Sequence, residues 1–214
     1  MSREGPRFQR VGMILIMLPM WMNFLLRTYS WMSILENNGL LNRLFQSIGL
    51  IDLYNQIAMS LSANPAAYEP ITHFQLINTQ GAVVLGMVYN YVPYMILPLY
   101  TSMTKIDQSI VEAAQDLGAS TTKTLFRVLI PMSVPGISTG ITMVFVPAVS
   151  TFVISRMLGG GSNLLIGDLI EMQFLGNSYN LNVGSAMSLV LMIIVLLCMS
   201  FTSSFDEDEM EGVS

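Results

Sequence analysis

Glu112, Ala113, Ala114, Gly118 and Pro131 combine one carboxylate, two minimal side chains and two backbone specialists within a short polar stretch. That set suits docking against another protein surface better than catalysis. Small residues let a foreign surface approach closely, and Glu112 could pair with a basic residue there. A merely polar connecting loop is the competing reading. Asp168 and Glu171 stand three apart, so in a helix they share a face; with Glu36, Asp52 and Glu69 they could equally be solvated loop acids. Arg27 interrupts an apolar run, either reaching the membrane interface, bonding within a helix bundle, or meeting a ligand directly. No G-x-x-x-x-G-K-[ST] occurs, and neither Lys105 nor Lys123 follows a glycine, so no phosphate loop is expected. Gly159-Gly160-Gly161 has no following lysine and reads as a turn. His73 and Cys198 are the single residues of their types, and no nucleophile–base pair or carboxylate dyad emerges. Neither a metal site nor an enzyme is expected.

The elements that must hold these residues are set by composition. Of 214 residues, 52% are hydrophobic and 11% charged, whereas soluble domains carry about 25% charged residues. At roughly 20 residues per spanning helix there is room for about four to six spans and no sizeable soluble domain. Continuous apolar runs exclude a barrel, whose strands would alternate. The expected fold is all-α, a polytopic transmembrane helical bundle, with no nucleic-acid partner.

Charges punctuate the chain into a basic flank (1–10), a membrane domain (11–205) and an acidic tail (206–214). MSREGPRFQR is polar and basic, and the apolar run after it shows no small-residue cleavage site, so a signal peptide is not expected. Spans are expected near 11–35, 80–103, 129–154 and 183–204, with a polar loop at 105–130. With both termini cytoplasmic, six basic residues (Arg3, Arg7, Arg10, Lys105, Lys123, Arg127) lie inside and three (Arg27, Arg43, Arg156) outside, as positive-inside topology requires. Pro19, Pro93, Pro98, Pro131, Pro135 and Pro147 lie in or beside spans and predict kinks, static or moving.

The polar loop then falls on the cytoplasmic face. Residues 111–117 are good helix formers, Gly118 can close that helix in the left-handed region, and Ser120, Thr121 and Thr122 offer caps for a second helix. Pro131 and Pro135 are expected to restart the membrane helix.

The run from Glu112 to Pro131 resembles the E-A-A-x-x-x-G-x9-I-x-L-P loop of permease subunits of binding-protein-dependent ABC importers. Val128 and Ile130 replace the preferred Ile and Leu. LRTYSWMSILENNGLLN, VYNYVPYMILPLY and LGGGSNLLIGDLIEMQF are similar to the permeases of spermidine/putrescine importers. The resemblance implies a MetI-like type I permease fold in a multi-pass cell-membrane protein whose coupling loop contains Glu112, Ala113, Ala114, Gly118 and Pro131. It also implies partners: ATP-binding cassette ATPase subunits, a second permease, an extracytoplasmic binding protein and the lipid bilayer. ATP and magnesium would sit on the ATPase, with no cofactor in this chain. A polyamine cargo would need acceptors for its ammonium groups, for which Asp168 and Glu171, with Arg27 near the path, are the candidates. Such permeases usually have six spans, so the first two are expected to be missing. Other outcomes are cargo such as ferric iron, a non-functional truncated fragment, or an autonomous secondary transporter. The last would need ionisable residues within its spans, and apart from Arg27 they hold essentially none.

Overall fold

A computed structural model of the chain describes residues 5–61, 68–161, 163–176 and 179–211, with side-chain surroundings from Arg7 to Ser200. All regular structure in these residues is helical. The helices are α1 (Pro6–Trp21), α2 (Phe24–Leu35), α3 (Leu40–Ser47), α4 (Leu50–Leu61), α5 (Gln80–Lys105), α6 (Gln108–Asp116), α7 (Thr121–Thr124), α8 (Ile130–Met132), α9 (Val134–Ser150), α10 (Val153–Gly159), α11 (Ile166–Leu175) and α12 (Leu181–Glu211). A π-turn, Leu125–Leu129, joins α7 to α8. The helices fall into two units, one of Met22–Val88 with Thr151–Asp168, the other of Met1–Trp21, Tyr89–Ser150 and Leu169–Ser214.

In the first of these units the core forms where α10 meets the opening turns of α5. Ile154 and Leu158 are fully buried, and Ala82 and Val83 nearly so. Two glycines permit the approach. A Cβ on Gly86 would strike Leu158 and stand 3.0 Å from Ile154, and one on Gly159 would stand 2.9 Å from Val83. α10 also packs on α2. Two asparagines bracket the segment leading into α5. Asn42 donates to the Phe74 carbonyl at 2.9 Å and accepts from its N–H at 2.9 Å; Asn55 treats Ile71 the same way at 2.9 and 3.0 Å. Each amide side chain imitates a peptide, so this backbone meets its hydrogen-bonding needs without a strand. Phe74 then meets Phe45 and Tyr54 edge-on at 5.7 and 5.4 Å.

In the other unit, Gly136 and Gly140 of α9 lie against Met95, Pro98 and Ser102 of α5. The Tyr91 hydroxyl donates to the Pro147 carbonyl at 3.1 Å. α12 packs on α9, while Leu189, Val190, Met192, Leu196 and Leu197 are exposed. Apolar exposure of that extent suits lipid, where a helix satisfies all its own backbone groups.

Two described helices, Gln80–Lys105 and Leu181–Ser200, are long and apolar enough to cross a membrane, and up to four spans result if two broken pairs each count as one. The breaks refine the sequence expectation. The run expected as one span over 11–35 is two helices, α1 and α2, because Asn23 caps α2 by accepting from Leu25 N at 2.8 Å and Leu26 N at 3.4 Å. The 129–154 run is interrupted at Ser133, where the helix turns by 66°.

Candidate functional site

The polar-loop candidates come together in one helix–turn–helix. Asp107 caps α6 by accepting from Ser109 N at 3.0 Å. At the other end Gly118, at φ +81°, donates to Gln115 O at 2.8 Å, and Ala119 donates to Ala114 O at 3.0 Å. This pair of bonds is a Schellman closure, which satisfies two carbonyls the helix end would leave open. Ser120 begins α7, accepting from Lys123 N at 3.4 Å. Ile106, Val111 and Leu129 form a buried apolar cluster with Met103 beneath it, holding α6 to the end of α5 and to the π-turn.

The outward face is bare by comparison. Glu112, Ala113 and Gly118 are exposed and Ala114 is half-buried. A Cβ on Gly118 would meet nothing within 4 Å. Leu117 is 89% exposed and Phe126 64%. Sequence reasoning missed these two side chains; their signal was a bulky apolar residue on each side of the Gly118–Ser120 turn. The arrangement is an anchored, sharply closed knob on which Leu117 and Phe126 are the most exposed hydrophobic groups, suited to filling a groove.

Pro131 stands at the start of a helix, as expected of a residue that restarts one, but that helix is a single short turn. It sits in α8, within the helical run that follows the turn, and the next helix starts at Val134. Its ring cannot donate and would clash with the carbonyl four residues earlier. The preceding turn widens accordingly, with Ile130 N bonding back to Leu125 O. The Ser133 hydroxyl donates to Leu129 O at 2.6 Å at the break.

The other candidates do not form one described cluster. Asp168 lies in the unit with Arg27 and is 2% exposed. Its Oδ2 accepts from Ser155 Oγ at 2.6 Å and from Leu165 N at 2.7 Å, tying α10 to the first turn of α11. Glu171, one turn on, is half-buried and belongs to the other unit. Arg27 is 6% exposed on the buried stripe of α2, beside Thr28 and in line with Leu35. It therefore points into the protein rather than reaching out to an interface.

The model of the family described as binding-protein-dependent transport system inner membrane component matches residues 2–206. The chain belongs to that family. It is 38% identical over 197 residues, 92% of this chain, to the spermidine/putrescine transport system permease protein PotB of Haemophilus influenzae. To the protein of the same name in Escherichia coli K12 it is 37% identical over 183 residues, 86% of the chain. The inner membrane ABC transporter permease protein YdcU of the same organism is 28% identical over 189 residues, 88% of the chain. The chain spans 62%, 59% and 57% of these relatives' lengths respectively. Family membership and the all-helical structure agree with the sequence expectation of an all-α, MetI-like permease domain.

Proposed function

We propose that the chain is a permease subunit of an ATP-driven importer of polyamines, forming part of a path that opens alternately to either side. The observation that carries this reading is the anchored knob at Glu112–Ser120, in a family of transport-system membrane components whose matched relatives include spermidine/putrescine permeases. Such a knob supports docking of an ATP-binding cassette subunit, which holds ATP and magnesium and whose closure moves α6 and the helices continuous with it. A second permease and an extracytoplasmic binding protein complete the assembly. Neither terminus crosses the membrane; both stay in the cytoplasm.

Orientation is tested by cysteine labelling in a Cys198→Ala background. Ser120→Cys should react only from the cytoplasm and Asn64→Cys only from outside; position 64 lies outside the described residues. The reverse pattern removes the docking role.

Cargo is tested in the full importer. Radiolabelled spermidine or putrescine should enter, and Asp168→Asn with Glu171→Gln should lower uptake roughly tenfold, the effect of about 1.4 kcal/mol. Unchanged uptake in that variant takes both acids out of the path. Ferric iron import without polyamine import reassigns the cargo.

A further inference from the structure

The unit that holds α2 and α10 buries two ionisable side chains among its described residues, and they are of opposite charge: Arg27, 6% exposed, and Asp168, 2% exposed. Arg27 Nε and Nη1 are closed to solvent and have no hydrogen-bond partner. A guanidinium removed from water is strongly destabilising unless an anion compensates it. Its place makes matters worse. Arg27 follows the Asn23 cap by four residues, close to the end of the helix whose partial positive charge opposes a cation. A polyammonium cargo cannot compensate it either, since it carries the same sign.

The unit's other described acids, Glu36, Asp52 and Glu69, are exposed. Asp168 is the buried one, and both hydrogen bonds it accepts fall on Oδ2, which leaves Oδ1 for another donor. Ser155, which holds it, belongs to α10, the helix packed on α2. A carboxylate held by α10 thus belongs to the same packed helix pair as a guanidinium whose Nε and Nη1 are unsatisfied.

We propose that Arg27 and Asp168 close into a buried ion pair in a second conformation of this unit, forming a latch that is open in this structure. The proposal rests on the alternating-access reading above. In the closed state a guanidinium N–H donates to Oδ1 while Ser155 and Leu165 keep Oδ2 in place. Closing would draw α2 and the start of α11 toward each other, so the latch reports which state the unit occupies.

The test uses the complete importer in proteoliposomes. Arg27→Gln and Asp168→Asn should each lower uptake by at least about tenfold, while the double variant should recover to within about threefold of the parent, because coupled residues depart from additivity. Single effects that simply multiply in the double variant overturn the pair. A second measurement covers failure of these variants to fold. Arg27→Cys with Asp168→Cys, in the Cys198→Ala background, is treated with a short bifunctional thiol reagent with and without ATP and vanadate. Crosslinking in one of the two conditions supports the latch, whereas crosslinking in neither, or equally in both, overturns it. State-dependent crosslinking in a complex that imports no polyamine leaves the latch standing and overturns the cargo reading instead.

Discussion

Gly118→Asp should all but abolish transport-coupled ATP hydrolysis while leaving the chain inserted at normal abundance. Gly118 holds φ +81°, a region that costs a residue with a Cβ roughly 1–2 kcal/mol. That strain acts on the two bonds closing α6, from Gly118 N to Gln115 O and Ala119 N to Ala114 O. Nothing lies within 4 Å of an added Cβ, so no internal clash spreads the damage into the membrane helices. What changes is the outward face: a side chain and a negative charge appear between exposed Leu117 and the turn into α7. Coupled hydrolysis and uptake should fall roughly a hundredfold, or about 2.7 kcal/mol. Gly118→Asn, which tolerates left-handed angles better and adds no charge, should lose less. Glu112→Ala should weaken coupling least, because an exposed ion pair contributes little. The measurements are co-purification with the ATPase subunit and ATPase rate in membranes at matched permease abundance. A Gly118→Asp protein that inserts, binds the ATPase and still couples hydrolysis to uptake removes the docking role from this turn.

The turn around Gly118 was legible in the sequence because its causes are local. A run of helix formers, a glycine and a serine within ten residues contain the helix, its closure and the next cap. The break at Asn23 is equally local, yet the apolar residues on both sides mask it, and together they make a run long enough to span as one helix. Pro131 shows a different limit. A proline in a helical segment predicts disruption, but whether the chain bends before it, at it, or after a widened turn depends on which carbonyl the following N–H groups can reach. Here Ile130 N reaches Leu125 O, and the bend moves on to Ser133.

The asparagine brackets were not legible at all. Asn42 and Asn55 look like ordinary polar residues of a surface loop, and their partners, Phe74 and Ile71, are distant in sequence. The same distance hid the state of Asp168, which hydropathy places among candidate exposed acids and packing against Ser155 places inside. Arg27 was conspicuous as a charge in an apolar run. Its direction was not, because residues 24–35 are apolar on most of the helix circumference and only the buried stripe through Thr28 and Leu35 reveals the inner face.

Enlarging Gly136 or Gly140 should have the largest effect on folding of the α5–α9 packing. These residues sit one helical turn apart, so they present the same face of α9. On Gly136 a Cβ would strike Ser102 and stand 2.8 Å from the Pro98 carbonyl oxygen; on Gly140 it would stand 2.6 Å from Met95 Sδ and 3.3 Å from the Met95 carbonyl oxygen. The distinction between these neighbours decides the ranking. Met95 Sδ belongs to a flexible side chain that can swing away, whereas the Pro98 oxygen is backbone and yields only if the helices separate. In a membrane no hydrophobic driving force between helices compensates for such separation, and close contact at small residues supplies the attraction. Gly140→Ala should therefore be tolerated with about 1–3 kcal/mol of destabilisation, the usual range for overpacking. Gly136→Ala should exceed it, and Gly136→Leu should leave little folded protein. Gly81→Ala is the control, since its Cβ would meet only Thr79 Oγ1 at 3.7 Å. The measurement is the thermal unfolding midpoint of the complex in detergent, with size-exclusion profiles for the fraction folded. Equal midpoints for Gly81→Ala and Gly136→Ala would show that α5 and α9 do not approach this closely in the membrane.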